Sequence, residues 1–337
     1  MKKIFSFTLV CLLVNLLTMP TWAQTGKKYV VAGAYHIASG GGWDYIAVGP
    51  GNNRLYVSHA TQVNILDQQT GDSVGVISNT SGVHGIAFAT DLNKGYTSNG
   101  RSNNVTVFNI KTNEILSQIA TGDNPDAIIY EPFSKTIITC NGRSNNLSLI
   151  DPVTDKVIAT IPVGGKLEAA VTDGKGKLYV NIEDKSTVAV VDLVTKKVEN
   201  TWPLAPAEGP TGLAIDLASG RLFVGCDKQL VVLDKANGKI ITHIAIGEEC
   251  DGVAFDNKTK TIFAACGAGM LTIIHEDNAN KYTLVNNLTT KKSARTIAID
   301  ESLHTIYLPA ADFGEPAPGQ KRAPVIPGTF QVILVKY

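Results

Sequence analysis

The chain is short of charge and has no excess of either sign. Only 18% of its 337 residues are charged, and 30 basic side chains balance 30 acidic ones. Without a basic patch or stripe there is no electrostatic footprint for nucleic acid or for an anionic membrane, so nucleic-acid binding is excluded as an expectation. The usual chemical signatures are missing as well. There is no HxH, HExxH or CxxC spacing, no haem-type CxxCH, no Gly-x-Ser-x-Gly elbow, no Ser-His-Asp order and no phosphate loop. The Gly-rich run at Gly40–Gly42 leads into a strand rather than a helix, which removes a dinucleotide fingerprint. Beyond the first two dozen residues there is no helical periodicity and no apolar run long enough to cross a bilayer, so no membrane span is expected in the mature chain.

The first residues carry the exception. Lys2 and Lys3 precede the apolar run IFSFTLVCLLVNLLTM, and Thr21-Trp22-Ala23 places small residues at the two positions that define a cleavage site. This reads as a secretory signal peptide over residues 1–23, cut before Gln24, with an uncleaved anchor as the competing reading. The expected location is therefore exported, either periplasmic or extracellular at the cell surface. Residues 24–337 then form one domain, and a 44% hydrophobic content is enough for a large core.

That domain is periodic. Apolar runs ending in a turn-forming polar residue recur as VNILD to Asp67, VTVFN to Asn109, LSLID to Asp151, VAVVD to Asp192, LVVLD to Asp234 and LTIIH to His275, at steps of 42, 42, 41, 42 and 41 residues. A second marker, centred on Tyr56, Tyr96, Ile138, Tyr179, Phe223, Phe263 and Tyr307, holds the same period and adds a seventh unit. Each unit divides into four short β-branched and aromatic-rich runs; in the second these are HGIAFAT, KGYTSN, NVTVFNI and EILSQIA. Asx residues in DQQTGD, NIKTNE, DPVTDK and DKANGK are suited to hold the turn after the third run. Four strands in a repeat of roughly 40–45 residues point to an all-β, seven-bladed β-propeller of four-stranded blades. A β-sandwich pair or an open β-solenoid is the alternative. The last unit supplies only three strands, and YVVAGAYHI, ahead of the first, fits as its missing outer strand and closes the ring.

The stretches YVSH, YTSNGRSNNVTVFN, ITCNGRSNNLSLID and YVNIEDKSTVAVVD resemble the YVTN-type propeller repeat, and the chain looks like a member of the YncE-like, YVTN-repeat group. The likeness covers nearly all of the mature chain; Cys226 and Cys266 replace the Asn in the fifth and sixth units. The resemblance implies a secreted, periplasmic or surface-associated propeller, in a group whose members mostly lack a defined activity.

In a propeller, the loop leading into each innermost strand and the loop joining the second strand to the third open on one face. Aligning the lead-in positions gathers Asp44, His84, Asp126, Glu168, Thr211, Asp251 and Arg295 around the channel mouth. Each taken alone can be an ordinary turn residue. Together, the carboxylates should repel and raise one another's pKa unless a cation neutralises them. Arg295 could do so, or a divalent cation: oxygen-rich ligation with one imidazole suits Ca, Mg or Mn, with Asp44, His84, Asp126, Glu168 and Asp251 as candidate ligands. The hexapeptide NGRSNN occurs at Asn99–Asn104 and again at Asn141–Asn146, which marks equivalent turns in neighbouring blades. It places Arg101 and Arg143 side by side at the rim, either paired with the carboxylates or presenting an anion-binding edge. Cys250 and Cys266 flank a turn symmetrically, so they face each other across adjacent strands as a candidate disulfide or as two buried small hydrophobes. One loop breaks the period: residues 311–328, carrying Pro316, Pro318, Pro324 and Pro327, read as a stiff flap beside the mouth.

Two functions follow as expectations. The first is an exported binding or interaction protein, with Asp44, His84, Arg101, Asp126, Arg143, Glu168, Asp251 and Arg295 presenting a site to a protein or small-molecule ligand. The alternative is a metal-assisted hydrolase, lactonase or lyase at the mouth. There the catalytic candidates are His84, Asp126 and Glu168, with His84 as general acid or base and Arg295 on an anionic group.

Overall fold

The computed structural model describes residues 28–316, 319 and 323–337; the expected signal peptide, residues 1–23, lies outside them. The repeat is built from local chemistry that recurs blade by blade. The Asx residues act as expected: Asp67 Oδ1 accepts from the backbone N–H groups of Gln69 and Thr70 at 2.8 and 2.9 Å, and Asn109 Oδ1 from those of Lys111 and Thr112 at 2.9 and 3.1 Å. Asp151, Asp192 and Asp234 hold the corresponding turns of the next three blades in the same way. The sixth unit differs. Its third strand does not stop at His275 but runs Met270–Asn278, and it pairs with an equally long fourth strand, Lys281–Thr289. The turn moves out to Asn278, whose side chain accepts from the backbone of Asn280.

The duplicated NGRSNN has a matching explanation. Asn99 Nδ2 donates to Asn104 Oδ1 at 2.8 Å and to Thr106 Oγ1 at 2.9 Å; Asn141 Nδ2 donates to Asn146 Oδ1 and Ser148 Oγ at the same two distances. The first and last asparagines of the hexapeptide thus clamp the loop across its base. Asn103 and Asn145 take the left-handed conformation at φ 53° and 56°, which asparagine tolerates better than most residues.

Seven four-stranded antiparallel sheets result, so the chain is a seven-bladed β-propeller. Counting blades in chain order, the innermost strands are Trp43–Val48, Val83–Ala89, Pro125–Glu131, Leu167–Thr172, Gly212–Asp216, Cys250–Asp256 and Ala298–Asp300. The last is only three residues long, shorter than the seven-residue run ARTIAID suggests. Strand Val30–His36 pairs with the C-terminal strand Gln331–Lys336, from Val30 opposite Lys336 to His36 opposite Gln331. The N-terminal strand is therefore the outermost strand of blade 7, and the ring is closed by both ends of the chain.

The second marker forms the core between blades. Tyr56, Tyr96, Phe223, Phe263 and Tyr307 are at most 1% exposed. Tyr56 packs on Phe88 and Phe108 of the next blade at 5.0 and 5.8 Å between ring centres, and Phe223 on Phe255 at 5.1 Å. At Tyr179 and Tyr307 the hydroxyl also reaches a polar group of another blade: Tyr179 donates to the Lys235 carbonyl at 3.2 Å, and Tyr307 accepts from Gln68 at 3.2 Å. The period in the sequence is the period of this inter-blade contact. No helix among the described residues is long and apolar enough to cross a membrane.

Candidate functional site at the channel mouth

Five of the seven lead-in residues sit at the same place in their strands. Asp44, His84, Asp126, Glu168 and Asp251 are each the second residue of an innermost strand. At each of them the ladder to the neighbouring strand slips by one residue, between Trp43 and Ile46, Val83 and Ile86, Pro125 and Ile128, Leu167 and Ala170, and Cys250 and Gly252. Such a bulge inserts an extra residue and re-aims its side chain. Hydroxyls on the adjacent strand satisfy the backbone groups it frees. The Asp44 N–H donates to Ser58 Oγ at 3.0 Å, and Ser58 Oγ donates to the Tyr45 carbonyl at 2.9 Å. In blade 2 the Gly85 N–H donates to Ser98 Oγ at 2.8 Å, and that hydroxyl donates across to the Asp126 carbonyl. The serines of YVSH and YTSN are thus part of the site's scaffold.

The side chains converge on a cavity of ≈ 680 Å³ lined from all seven blades, including Asp44, His84, Arg101, Arg143, Glu168, Thr211, Asp251 and Arg295. Asp126 stands behind this lining. His84 Nδ1 lies 2.6 Å from Asp44 Oδ2 and 3.9 Å from Asp126 Oδ1. On the other side of Asp44, Arg295 spans two carboxylates, with Nη2 3.5 Å from Asp44 Oδ1 and Nε 2.8 Å from Asp251 Oδ2. Across the mouth, Lys166 pairs with Glu168 at 2.8 Å and also with Glu183. Further along the same strands the channel narrows to ≈ 200 Å³ between apolar side chains such as Ile46, Ile86, Ile128, Leu213 and Ile297.

These contacts divide the carboxylates electrostatically. Burial, and then the charge of Asp44, push Asp126 up to about 7, against the opposing pull of His84. Burial likewise raises Asp251 to about 6, although Arg295 opposes it. Burial and the charge of Asp126 push Glu168 up to about 9; the half-exposed Lys166 ammonium does not offset them. For His84 burial acts downward, but the Asp44 hydrogen bond and the charges of Asp126 and Asp44 raise it above its ordinary value. The expectation that clustered carboxylates perturb one another is met, with desolvation the larger cause.

The rim arginines differ from one of their two expected roles. Arg101 and Arg143 line the cavity, are exposed, and form no ion pair with the carboxylates among the described residues. Arg295 and Lys166 make the ion pairs to the ring carboxylates instead. The flap is ordered at its base: the Gly314 N–H donates to the Pro324 carbonyl at 2.9 Å, the Ile326 N–H to the Asp312 carbonyl at 2.8 Å, and Phe313 packs on Trp43 at 5.7 Å. Between flap and ring lies a second groove of ≈ 760 Å³ that shares Trp43 and Arg295 with the mouth.

Cys250 and Cys266 are direct partners in the ladder, as their spacing suggests, but in this structure they are free, buried thiols. Lys166 and Glu183 escaped the alignment of lead-in residues. Glu183 occupies the position that Gly100 and Gly142 hold in blades 2 and 3, so reading the second loops in register would have singled it out. Lys166 precedes Glu168 by two residues and had no counterpart to flag it.

No protein-family model and no curated protein matches the sequence. Among solved structures the chain is similar to Kuenenia stuttgartiensis hydrazine synthase, with a TM-score of 0.71, 16% identity, and coverage of 81% of this chain and 94% of that one. At that identity the likeness is one of fold: a β-propeller architecture shared by proteins whose sites are free to differ.

Proposed function

We propose that the chain is an exported ligand-binding propeller of the YVTN-repeat type, which holds a small polar molecule in the cavity at its channel mouth. The observation that carries this reading is unsatisfied polarity at a point where all seven blades meet. Among the described residues Arg101 and Arg143 have no ion-pair partner, and Asp126 Oδ1 is buried without a hydrogen bond. A ring of charges serving only the fold would have closed on itself, because a buried unpaired oxygen costs on the order of 1–3 kcal/mol. Open cations at the rim and one under-satisfied carboxylate, that of Asp126, beside the cavity suit a ligand with an oxyanion at one end and a cation or hydrogen-bond donor at the other. The signal sequence, with its Lys2-Lys3 start and apolar run, supports export, and the repeat pattern supports the YVTN-type assignment. Denaturation-shift screening of the purified chain against small carboxylates, phosphates and amino acids should return compounds whose shift disappears in both Arg101→Ala/Arg143→Ala and Asp126→Asn. Hits that ignore both variants would place binding elsewhere.

The hydrolase, lactonase or lyase reading is favoured by one observation, a histidine held by one carboxylate and facing a second. Asp44 fixes the orientation of the His84 ring, as a base-orienting carboxylate does. Turnover of a lactone or ester panel, lost in His84→Gln, would select this reading over simple capture.

A further inference from the structure

We propose that Asp44, His84 and Asp126 form a binding site for a divalent cation. This rests on the reading of the mouth as a ligand site, but cation binding can be measured without any organic ligand, so the two stand or fall separately.

Geometry is the first support. One ligand atom from each residue can be chosen so that all three lie within 4.8 Å of one another. That is the spacing of atoms around a single ion whose bonds are about 2.0–2.5 Å. Two carboxylates and one imidazole make an oxygen-rich donor set of the kind that takes Mn²⁺ and its neighbours rather than a thiolate-seeking metal. Three side chains leave further coordination positions facing the cavity, as in sites where the ion also meets a ligand.

The second support is independent of the clustering. Asp126 is only 9% exposed, and among the described residues its Oδ1 has no hydrogen-bond partner; its ion-pair approach to His84 Nδ1 is a long 3.9 Å. In the other blades the buried carboxylates at this level are held: Glu168 by Lys166 and Asp251 by Arg295. Asp126 alone among them points an unsatisfied oxygen at an imidazole and a second carboxylate. An ion between the three supplies the missing partner for Asp126. It would use the Asp44 oxygen that now faces His84, leaving Asp44 Oδ1 to Arg295.

The scaffold is also stiff enough to hold a site. The three residues sit on bulges in three successive blades, and the serine hydroxyls of the neighbouring strands fix the backbone around Asp44, Gly85 and Asp126. Gly100 leaves room for the imidazole, since a Cβ there would come 2.6 Å from His84 Nε2. Placing ligands on strands rather than on free loops favours a preorganised site.

The test is a Mn²⁺ titration of the full purified chain after chelator treatment, read by calorimetry and by the electron paramagnetic resonance of free Mn²⁺. One saturable site per chain is expected. Asp126→Asn and, separately, His84→Gln should weaken it on the order of 100-fold, as expected when one of three ligands is lost. Asp312→Asn, an acidic residue of the flap outside the cluster, should bind as the parent does. Thermal melts confirm that each variant is folded before it is titrated. Absence of saturable Mn²⁺ binding, or undiminished binding in both folded site variants, overturns the cation site. Compounds that bind the chelator-treated protein at the mouth would then keep the broader ligand-site reading intact.

Discussion

Replacing Asp126 with asparagine should make the protein more stable at alkaline pH and leave it nearly unchanged near pH 4. Burial and the neighbouring Asp44 charge lift this carboxyl from an ordinary 3.8 to about 7. Between those values the folded chain retains a proton that the unfolded chain has released, so stability falls as pH rises through the window and levels off above it. Three pH units correspond to about 4 kcal/mol of lost stability at pH 8. Asparagine removes the charge but brings an amide that must find its own partners, so about 2–3 kcal/mol should be recovered, equivalent to roughly 3–5 °C in Tm for a chain of this size. Scanning calorimetry of parent and variant at pH 4, 6 and 8, with chelator present, reads the difference directly. The reasoning fails if the variant melts no higher than the parent at pH 8, or if its gain at pH 4 equals that at pH 8. A site tuned for a ligand commonly carries such a penalty, and removing it commonly costs function.

Two further outcomes follow from the repeat chemistry and the thiols. Asn141→Ala removes both bonds that clamp the second hexapeptide, at 2.8 and 2.9 Å, and leaves Asn146 without that partner; a loss of about 1–3 kcal/mol is expected in calorimetry, and a change within error would deny the clamp its role. Cys250 and Cys266 face each other in register, so mild oxidation of the folded chain with diamide should remove two hydrogens from the intact mass without altering the far-ultraviolet circular dichroism. Oxidation that requires unfolding would show that the thiols cannot meet in the native fold.

The architecture was legible because the contacts that build it recur. Tyr56, Tyr96, Phe223 and Tyr307 repeat because each fills the seam between two blades, and Asp67, Asn109 and Asp151 repeat because each holds the same turn. The seven blades, their strands and the terminal closure could therefore be placed by counting. What counting missed is where one blade departs from its siblings. The hairpin of blade 6 extends beyond His275 because Glu276 and Asn278 continue the ladder to Tyr282 and Lys281, a pairing that the apolar run alone does not announce. At the mouth, the lead-in positions are legible, since the alignment lands on the second residue of five of the seven innermost strands. Their partners are not, because pairing depends on side-chain reach across the ring: Arg295 bridges Asp44 and Asp251, whereas Arg101 and Arg143 stay apart from the acids below them. The bulges that aim the site leave no periodic signal of their own, although Ser58 and Ser98, whose hydroxyls hold them, recur in YVSH and YTSN.

The seventh blade, stitched from both ends of the chain, ties closure of the ring to the last strand synthesised. Its outer strand, Val30–His36, must wait for Gln331–Lys336, some 300 residues later. Bringing such distant segments together costs about 5 kcal/mol in loop entropy beyond a constant term, and contacts of this sequence separation form slowly. A chain emerging N-terminus first would hold its early strand unpaired, with a free edge able to capture another molecule, until the last strand arrived. A truncated product would keep that edge permanently. The closure that gives the propeller a rigid mouth therefore also sets the moment at which the molecule becomes safe from its own copies.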